Sequence, residues 1–469
     1  MSSVWRLSAS VMGLAGLLAG CGSLDPAPRF ERARRDVTER TGHDIRWNQG
    51  SAADAEVRLA VGRLLEADLT ADQAVQIALL NNRRLQATYE SLGVAQANLV
   101  QAGLLKNPIF DASYRFADGG GGDGVLEMRV VQDFVDILLI PMRKRLAEAE
   151  LRRAQLVITG AAMDLAYQVR VTFVRLVTAQ QAAAMWRTTM EAAEAAFDVA
   201  QRLHDAGNMT DLDLSTQRAS YEQAKLDLAA AEMGVLENRE QLNALMGLWG
   251  QDTTWHTAME LPAIPAEELD LDDLEKRAVA RSLDLAMARQ DVETAAAAIG
   301  LNVLATVFHS IEVGAHAERD PGDLWEAGPA LVAPIPLFDQ GQASSAAGKA
   351  EVRRRWDQYV ALAVEVRAAT RAARNRLVYV RPQALYYQQV MLPLRRQITA
   401  QTLLQYNAMQ LGVFELLVTK QQEIDAGRRA LEATRDYWIA RSQMELILNG
   451  RMPTGEPDGG MPGGRRYQP

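Results

Sequence analysis

One cysteine, Cys21, stands in 469 residues, so no disulfide can form within the chain. Aromatic residues are scarce at 6%, while 48% of the chain is hydrophobic and alanine is abundant. That mixture suits long helices better than a compact mixed core. Positive charge is not in surplus: the formal net charge is −9, which argues against a nucleic-acid binder. No stretch reaches the roughly 18 apolar residues of a membrane-spanning helix. The nearest, AAAAIGLNVLATVF at 295–308, is too short. If the chain crosses a membrane, it must do so as a closed barrel, because lipid leaves no unpaired backbone group satisfied. The five histidines, His43, His204, His256, His309 and His316, show no metal-ligand spacing. His309 and His316 are an odd number of positions apart, so on one strand they face opposite sides. GGGG at 119–122 is not followed by Lys-Ser and is no phosphate loop. No Ser/His/Asp arrangement stands out, so neither catalytic residues nor a cofactor is expected. The 17 methionines admit a metal-export reading, but most are read as flexible core filling.

The N-terminus is organised differently. Arg6 precedes the apolar run VMGLAGLLAG, and Leu18-Ala19-Gly20-Cys21 closes it. A charged start, a short apolar stretch and small residues before a cut form a secretory signal, here residues 1–20. LAGC has the form of a bacterial lipobox, in which the cysteine is lipidated and becomes the mature N-terminus. Cys21 is therefore the expected lipid-attachment site, with residues 21–65 as an extended N-terminal arm. Gly22 follows the cysteine, so there is no inner-membrane retention signal.

The body of the chain reads as one unit written twice. EAELRRAQ at 148–155 returns as KAEVRRRW at 349–356, about 200 residues later. Asn82-Arg83-Arg84-Leu85 and Ser282-Leu283-Asp284-Leu285 keep a similar offset. So do two sevenfold series: Leu214, Tyr221, Leu228, Val235 and Leu242 in the first half, and Leu417, Ile424, Leu431 and Trp438 in the second. Sevenfold spacing is a coiled-coil seam, and Ala224 and Ala231 on its other line let neighbouring helices approach closely. The expected units are 66–248 and 269–450, joined by a linker at 249–268. In the first, a helix starting with Pro141 runs through 142–205, breaks at HDAGNMTD and returns through 212–246. In the second, a helix from about 342 is kinked at Pro382 and Pro393, turns near 408–413 and returns to about 448. Residues 451–469, rich in glycine and proline, are expected to be disordered.

Before each helical hairpin the period changes to two. At 109–116, Phe110, Ala112, Tyr114 and Phe116 share one face, and Asp111, Ser113 and Arg115 the other. At 125–134, Leu126, Met128, Val130 and Phe134 oppose Glu127, Arg129 and Asp133. The second unit carries a similar pair within 307–337: Val307, Ile311, Val313, Ala315 and Ala317 against Ser310, Glu312, His316 and Glu318. Strands of about ten residues with one oily face have the size of membrane-barrel strands, although a small soluble sheet resting on helices has the same pattern. Four strands cannot close a barrel, so a membrane location requires several chains to share one.

With these features together the chain resembles an outer-membrane efflux protein of the TolC family, in its lipoprotein branch, over roughly 65–450. The residues that carry the resemblance are the lipobox, the paired units, AGNMTDLDLSTQRASYEQAKLDL at 206–228, VAPIPLFDQGQ at 332–342, and the unit ends LNALMG and LILNG. It implies a mainly α fold with a small β part. Two tandem repeats would each hold a β-hairpin and long antiparallel coiled-coil helices. A homotrimer would form a 12-stranded outer-membrane β-barrel and a periplasmic α-helical tunnel. It also implies a passive export duct, anchored by lipid in the outer membrane of a Gram-negative bacterium. A periplasmic adaptor and an inner-membrane pump would be its partners. Gly207, Leu212, Asp213 and Leu214 match the first tip motif. Gly412, Phe414, Glu415 and Leu416 fall in the second, where Met409 replaces the glycine that aligns with Gly207. Asp111, Arg115, Glu127, Arg129 and Glu312 would face the lumen, and Asp211, Asp213 and Glu415 are candidates for an acidic constriction. Two other readings are open: an adaptor-like lipoprotein, which would nest one hairpin in β domains, and a coiled-coil lipoprotein without a pore.

Overall fold

A computed structural model describes residues 23–116, 124–258, 260–308, 311–319 and 324–453. Cys21, His309 and the glycine run at 119–122 lie outside them. The chain divides into two units. One takes residues up to Ala33, Thr88–Ile158 and Leu285–Leu362; the other takes Arg34–Ala87, Thr159–Asp284 and the chain from Ala363 onward. No helix among the described residues is long and apolar enough to cross a membrane.

The segment expected as an extended arm is instead helical: α1 is Ala27–Thr41 and α2 is Ala52–Leu65. The start signals are present. The Asp25 carboxylate accepts from the Ala27 N–H, and Ser51 and Asp54 cap α2 reciprocally. Helices α3, Ala71–Asn81, and α4, Arg83–Gly103, follow. Thr70 and Gln73 make the capping box that starts α3.

The first unit is built on one four-stranded antiparallel sheet in the order β1-β2-β3-β4. Its strands are β1 Ile109–Arg115, β2 Val125–Asp133, β3 Glu312–Arg319 and β4 Glu326–Val332. The second pair is shorter than the expected 307–337. Val307 ends a helix, and beyond Val332 the prolines at 334 and 336 remove the donors a further ladder would need. Helix α5, Phe134–Asp205, begins directly after β2. Asp133 starts it by accepting from the Val135 and Asp136 N–H groups. Pro141 therefore lies inside the helix, not at its first position. Near this junction Asp136, almost fully buried, is held by Arg143 at 2.9 Å and Lys106 at 3.2 Å.

Helix α5 holds 72 residues, a length on the order of 100 Å at the α-helical rise. Helix α6, Asp211–Met246, returns from it; α7, Leu274–Arg281, and α8, Leu283–Val307, precede the second strand pair. Helix α9, Gln342–Tyr386, contains Pro382 and continues through a π turn at Tyr387–Met391 into α10, Leu392–Asn407, which has Pro393 in its first turn. The two prolines are accommodated by this widened turn, since neither supplies an amide hydrogen to the ladder. Helix α11, Val413–Leu448, returns.

In α6 the expected seam is half-buried at Leu214, Tyr221, Leu228 and Val235 and buried at Leu242, with Ala224 buried on its other line. In α11 the expected seam residues Leu417, Ile424, Leu431 and Trp438 are likewise half-buried. The buried line is Ala426, Ala430, Ala433, Tyr437, Ala440, Met444 and Ile447. Alanine takes the centre because it lets helix backbones come close, while the larger residues flank the contact.

The linker and the start of the tail, the latter expected to be disordered, are fastened within the second unit. In the linker, Trp255 is buried, donates from Nε1 to Asn243 at 2.8 Å and lies under the Arg239 guanidinium. Glu268 accepts from Arg441 at 2.8 Å and from the Tyr437 hydroxyl at 2.9 Å. At the start of the tail, Arg451 pairs with Asp164 at 2.6 Å and also with Asp284. Residues 454–469 lie outside the described part.

Candidate functional site

The sheet has two chemically distinct faces. Strand alternation puts Phe110, Ala112, Tyr114, Met128 and Val130 on one side, and pairing extends that side through Val313, Ala315 and Leu331. Phe110, Tyr114, Val130, Val313 and Leu331 are exposed. Aromatic and large apolar residues also stand at both ends: Phe116, Leu324 and Trp325 by the turns, Phe134 and Phe338 beyond the opposite ends of the strands, all exposed. A contiguous oily face of this kind marks a surface that meets something apolar.

The opposite face carries Asp111, Arg115, Glu127, Arg129 and Glu312, the five residues singled out in the sequence, together with His316 and Glu318. Arg129 pairs with Asp111 at 3.4 Å. Arg115 reaches Glu127 and Glu318, each at 3.4 Å, and His316 reaches the same two carboxylates at 3.6 and 3.5 Å. Glu312 lies opposite Asp133 at the far end. Strands β1 and β4 are the edges of this sheet, each paired on one side only. His316 and Glu318 were legible beside Glu312 by alternation; that His316 lies across from Arg129 was not, because only the β2–β3 pairing sets it there.

The helical turns of the second unit form two matching structures. At the end of α5, Gly207 has φ +76°, its N–H donates to His204 at 2.8 Å, and the Asn208 N–H donates to Leu203 at 2.9 Å. At the end of α10, Met409 has φ +58°, its N–H donates to Tyr406 at 2.9 Å, and the Gln410 N–H donates to Gln405 at 2.9 Å. Both are Schellman ends, so methionine performs the turn that glycine performs in the other copy. Thr210 caps α6 through the Asp213 N–H, and the Leu214 N–H donates to the Thr210 carbonyl. Gly412 caps α11, and the Leu416 N–H donates to its carbonyl at 3.4 Å. Leu212, Asp213 and Glu415 are exposed. Phe414 lines a cleft of about 490 Å³ between α5, α6 and α11, floored by Ala192, Ala193 and Ala196.

The first turn alone carries a latch that the sequence motif did not reveal. The His204 Nε2 lies 2.7 Å from Asp211 Oδ1, and its Nδ1 is 3.7 Å from Asp205. The hydrogen bond with Asp211 pushes the imidazole pKa up, against a smaller opposing effect of desolvation.

The fold matches solved outer-membrane channels. Residues 141–248 match the family model described as outer membrane efflux protein. The cobalt-zinc-cadmium resistance protein CzcC of Cupriavidus metallidurans is 22% identical over 388 residues, covering 81% of this chain and 90% of that one. The Campylobacter jejuni CmeC outer membrane channel superposes with a TM-score of 0.69 at 14% identity, covering 82% of this chain and 87% of that one. The open-state MtrE outer membrane channel of Neisseria gonorrhoeae does so with a TM-score of 0.64 at 16% identity, covering 82% and 90%. The adaptor-like and pore-free readings are not favoured by these likenesses.

Proposed function

We propose, from its homology with the outer membrane efflux proteins, that this chain is the outer-membrane channel of a tripartite efflux system. It is a passive duct and not an enzyme. The observation that carries the reading is the sheet: an exposed apolar face, a face of ion pairs behind it, and two edges whose backbone groups seek partners. In lipid such edges are not tolerated, so β4 of one copy must pair with β1 of the next until the sheet closes. Three copies give twelve strands, with the oily faces toward lipid and Asp111, Arg115, Glu127, Arg129 and Glu312 toward water. The paired Schellman turns at Gly207 and Met409 support a unit written twice. The two turns, with Leu212, Asp213, Leu214, Phe414, Glu415 and Leu416, meet a periplasmic adaptor, through which an inner-membrane pump delivers cargo. Cys21 carries the lipid that holds the N-terminus at the outer membrane. The name of the CzcC relative gives divalent metal ions as a second reading of the cargo class, favoured by the acidic surplus on the polar face.

Purified protein in planar bilayers tests the channel. Stepwise conductance is expected, and a variant lacking residues 109–133 and 312–332 should give none. Sheet-dependent conductance that never appears, in the wild type or in a variant opened at both helical turns, would sink the proposal.

A further inference from the structure

In the second unit a cleft of about 750 Å³ lies between α5, α6, α9 and α11, within the size range of small-molecule sites. Its lining holds four arginines, Arg175, Arg376, Arg428 and Arg435, against two carboxylates, Glu432 and Asp436. This local excess runs against the chain, whose formal net charge is −9. Arg428 pairs with Glu432 at 2.9 Å and Arg435 with Asp436 at 2.9 Å, so both carboxylates are already engaged. Arg376 makes no ion pair among the described residues. The Arg428 Nε is buried and meets no acceptor. Burial pushes the Tyr167 phenol pKa up, and the charges of Arg376 on α9 and Arg175 on α5 oppose it. Both guanidiniums therefore act on the same wall of the cleft. Trp186, Leu431 and Ile439 add apolar surface to the lining.

We propose that this cleft binds a small organic anion, an oxyanion group on an apolar body, with Arg376 as its principal anchor. A guanidinium donates two parallel hydrogen bonds to a carboxylate, phosphate or sulfonate, which a single ammonium cannot do. Surplus positive charge in a recess with low-dielectric walls raises the local concentration of anions. The apolar lining gives the body of the ligand a place to leave water. Helices α5 and α6 belong to the first repeat and α9 and α11 to the second, so the bound anion ties the two repeats together. A ligand that binds only the folded chain stabilises it. The cleft lies within one copy, so the site stands apart from the channel reading.

The test is calorimetric titration of the full-length protein in non-ionic detergent with naphthalene-2-sulfonate, beside inorganic sulfate and blank micelles. Saturable binding of naphthalene-2-sulfonate, much tighter than that of sulfate, and a rise of the unfolding temperature with ligand are expected. Arg376→Gln should weaken binding by about tenfold or more and abolish the rise, through loss of a charge-assisted pair. Arg376→Lys, which keeps the charge but not the fork, should fall between, and Trp186→Ala should weaken binding several-fold. Arg376 is half-buried, so these replacements leave the helix packing in place. Arg371→Gln removes a charge from the same helix outside the cleft, where Arg371 pairs with Glu275, and should leave the affinity unchanged. No saturable binding by the wild type, sulfate bound as tightly, or wild-type affinity in Arg376→Gln would each overturn the proposal. None of these outcomes touches the channel, which conductance tests separately.

Discussion

At the scale of single residues, Met409 shows how a turn is specified by backbone geometry before side-chain identity. A non-glycine residue at positive φ carries a steric cost, and the Met409 side chain is 94% exposed, so it gains no packing in return. Met409→Gly should stabilise the protein by up to about 1 kcal/mol, the relief of left-handed strain less the added freedom of glycine when unfolded. Gly207→Ala should cost about 1 kcal/mol by the same reasoning. Denaturation of the two variants side by side checks the pair, and a destabilised Met409→Gly would contradict it. His204 makes a second prediction, in pH. Its folded pKa is raised, mainly by Asp211, so the latch contributes fully below the unfolded imidazole value of about 6.5 and is lost as pH rises through the folded value. Amide exchange at 203–211, corrected for intrinsic rates, should therefore accelerate as pH rises through neutrality. Asp211→Asn should remove most of that dependence; if the dependence survives, the latch is not its cause.

At the scale of elements, α11 is decided by alanine. Ala440 is 1% exposed on the buried line, so Ala440→Leu forces extra volume into a close helix contact and should cost ~1–3 kcal/mol. Val418→Ala, at an exposed position of the same helix, should change stability by less than about 0.5 kcal/mol. Comparable losses in urea for the two would place the seam wrongly. The end of α11 depends on a buried ion triad. Arg451, 15% exposed in its side chain, neutralises Asp164 on α5 and Asp284 at the start of α8. Arg451→Ala would leave two poorly solvated carboxylates and should cost ~3–5 kcal/mol, whereas joint replacement of all three by apolar residues should cost much less. Thermal unfolding separates these outcomes.

For the whole molecule, the sheet predicts assembly. Light scattering in detergent should give three chains per particle. Val130→Arg, on the oily face of an inner strand, should weaken folding into lipid by ~2–4 kcal/mol, while Ser113→Arg on the polar face should be near neutral. Equal effects on both faces would mean that neither face meets lipid. A particle of one chain would leave both sheet edges unpaired and would sink the barrel.

The sequence by itself determined the periodicities. Alternation placed Asp111, Arg115, Glu127, Arg129 and Glu312 on one face, and heptads with Gly207 set the long hairpins and the first turn. These follow from local chemistry, because strand and helix repeats fix which side chains share a side. Only the tertiary structure decided the rest. Helix α5 starts at Phe134 because Asp133 caps it, which outweighs the signal of Pro141. The seam of α11 runs through alanines that look unremarkable in a list of hydrophobic residues. Arg451 and Glu268 lie in segments whose composition reads as tail and linker, yet partners far along the chain fasten them. The grouping of Glu127 with His316 and Glu318 exists only through strand register, a long-range property, because pairing of β2 with β3 joins residues nearly 200 positions apart that no local pattern connects.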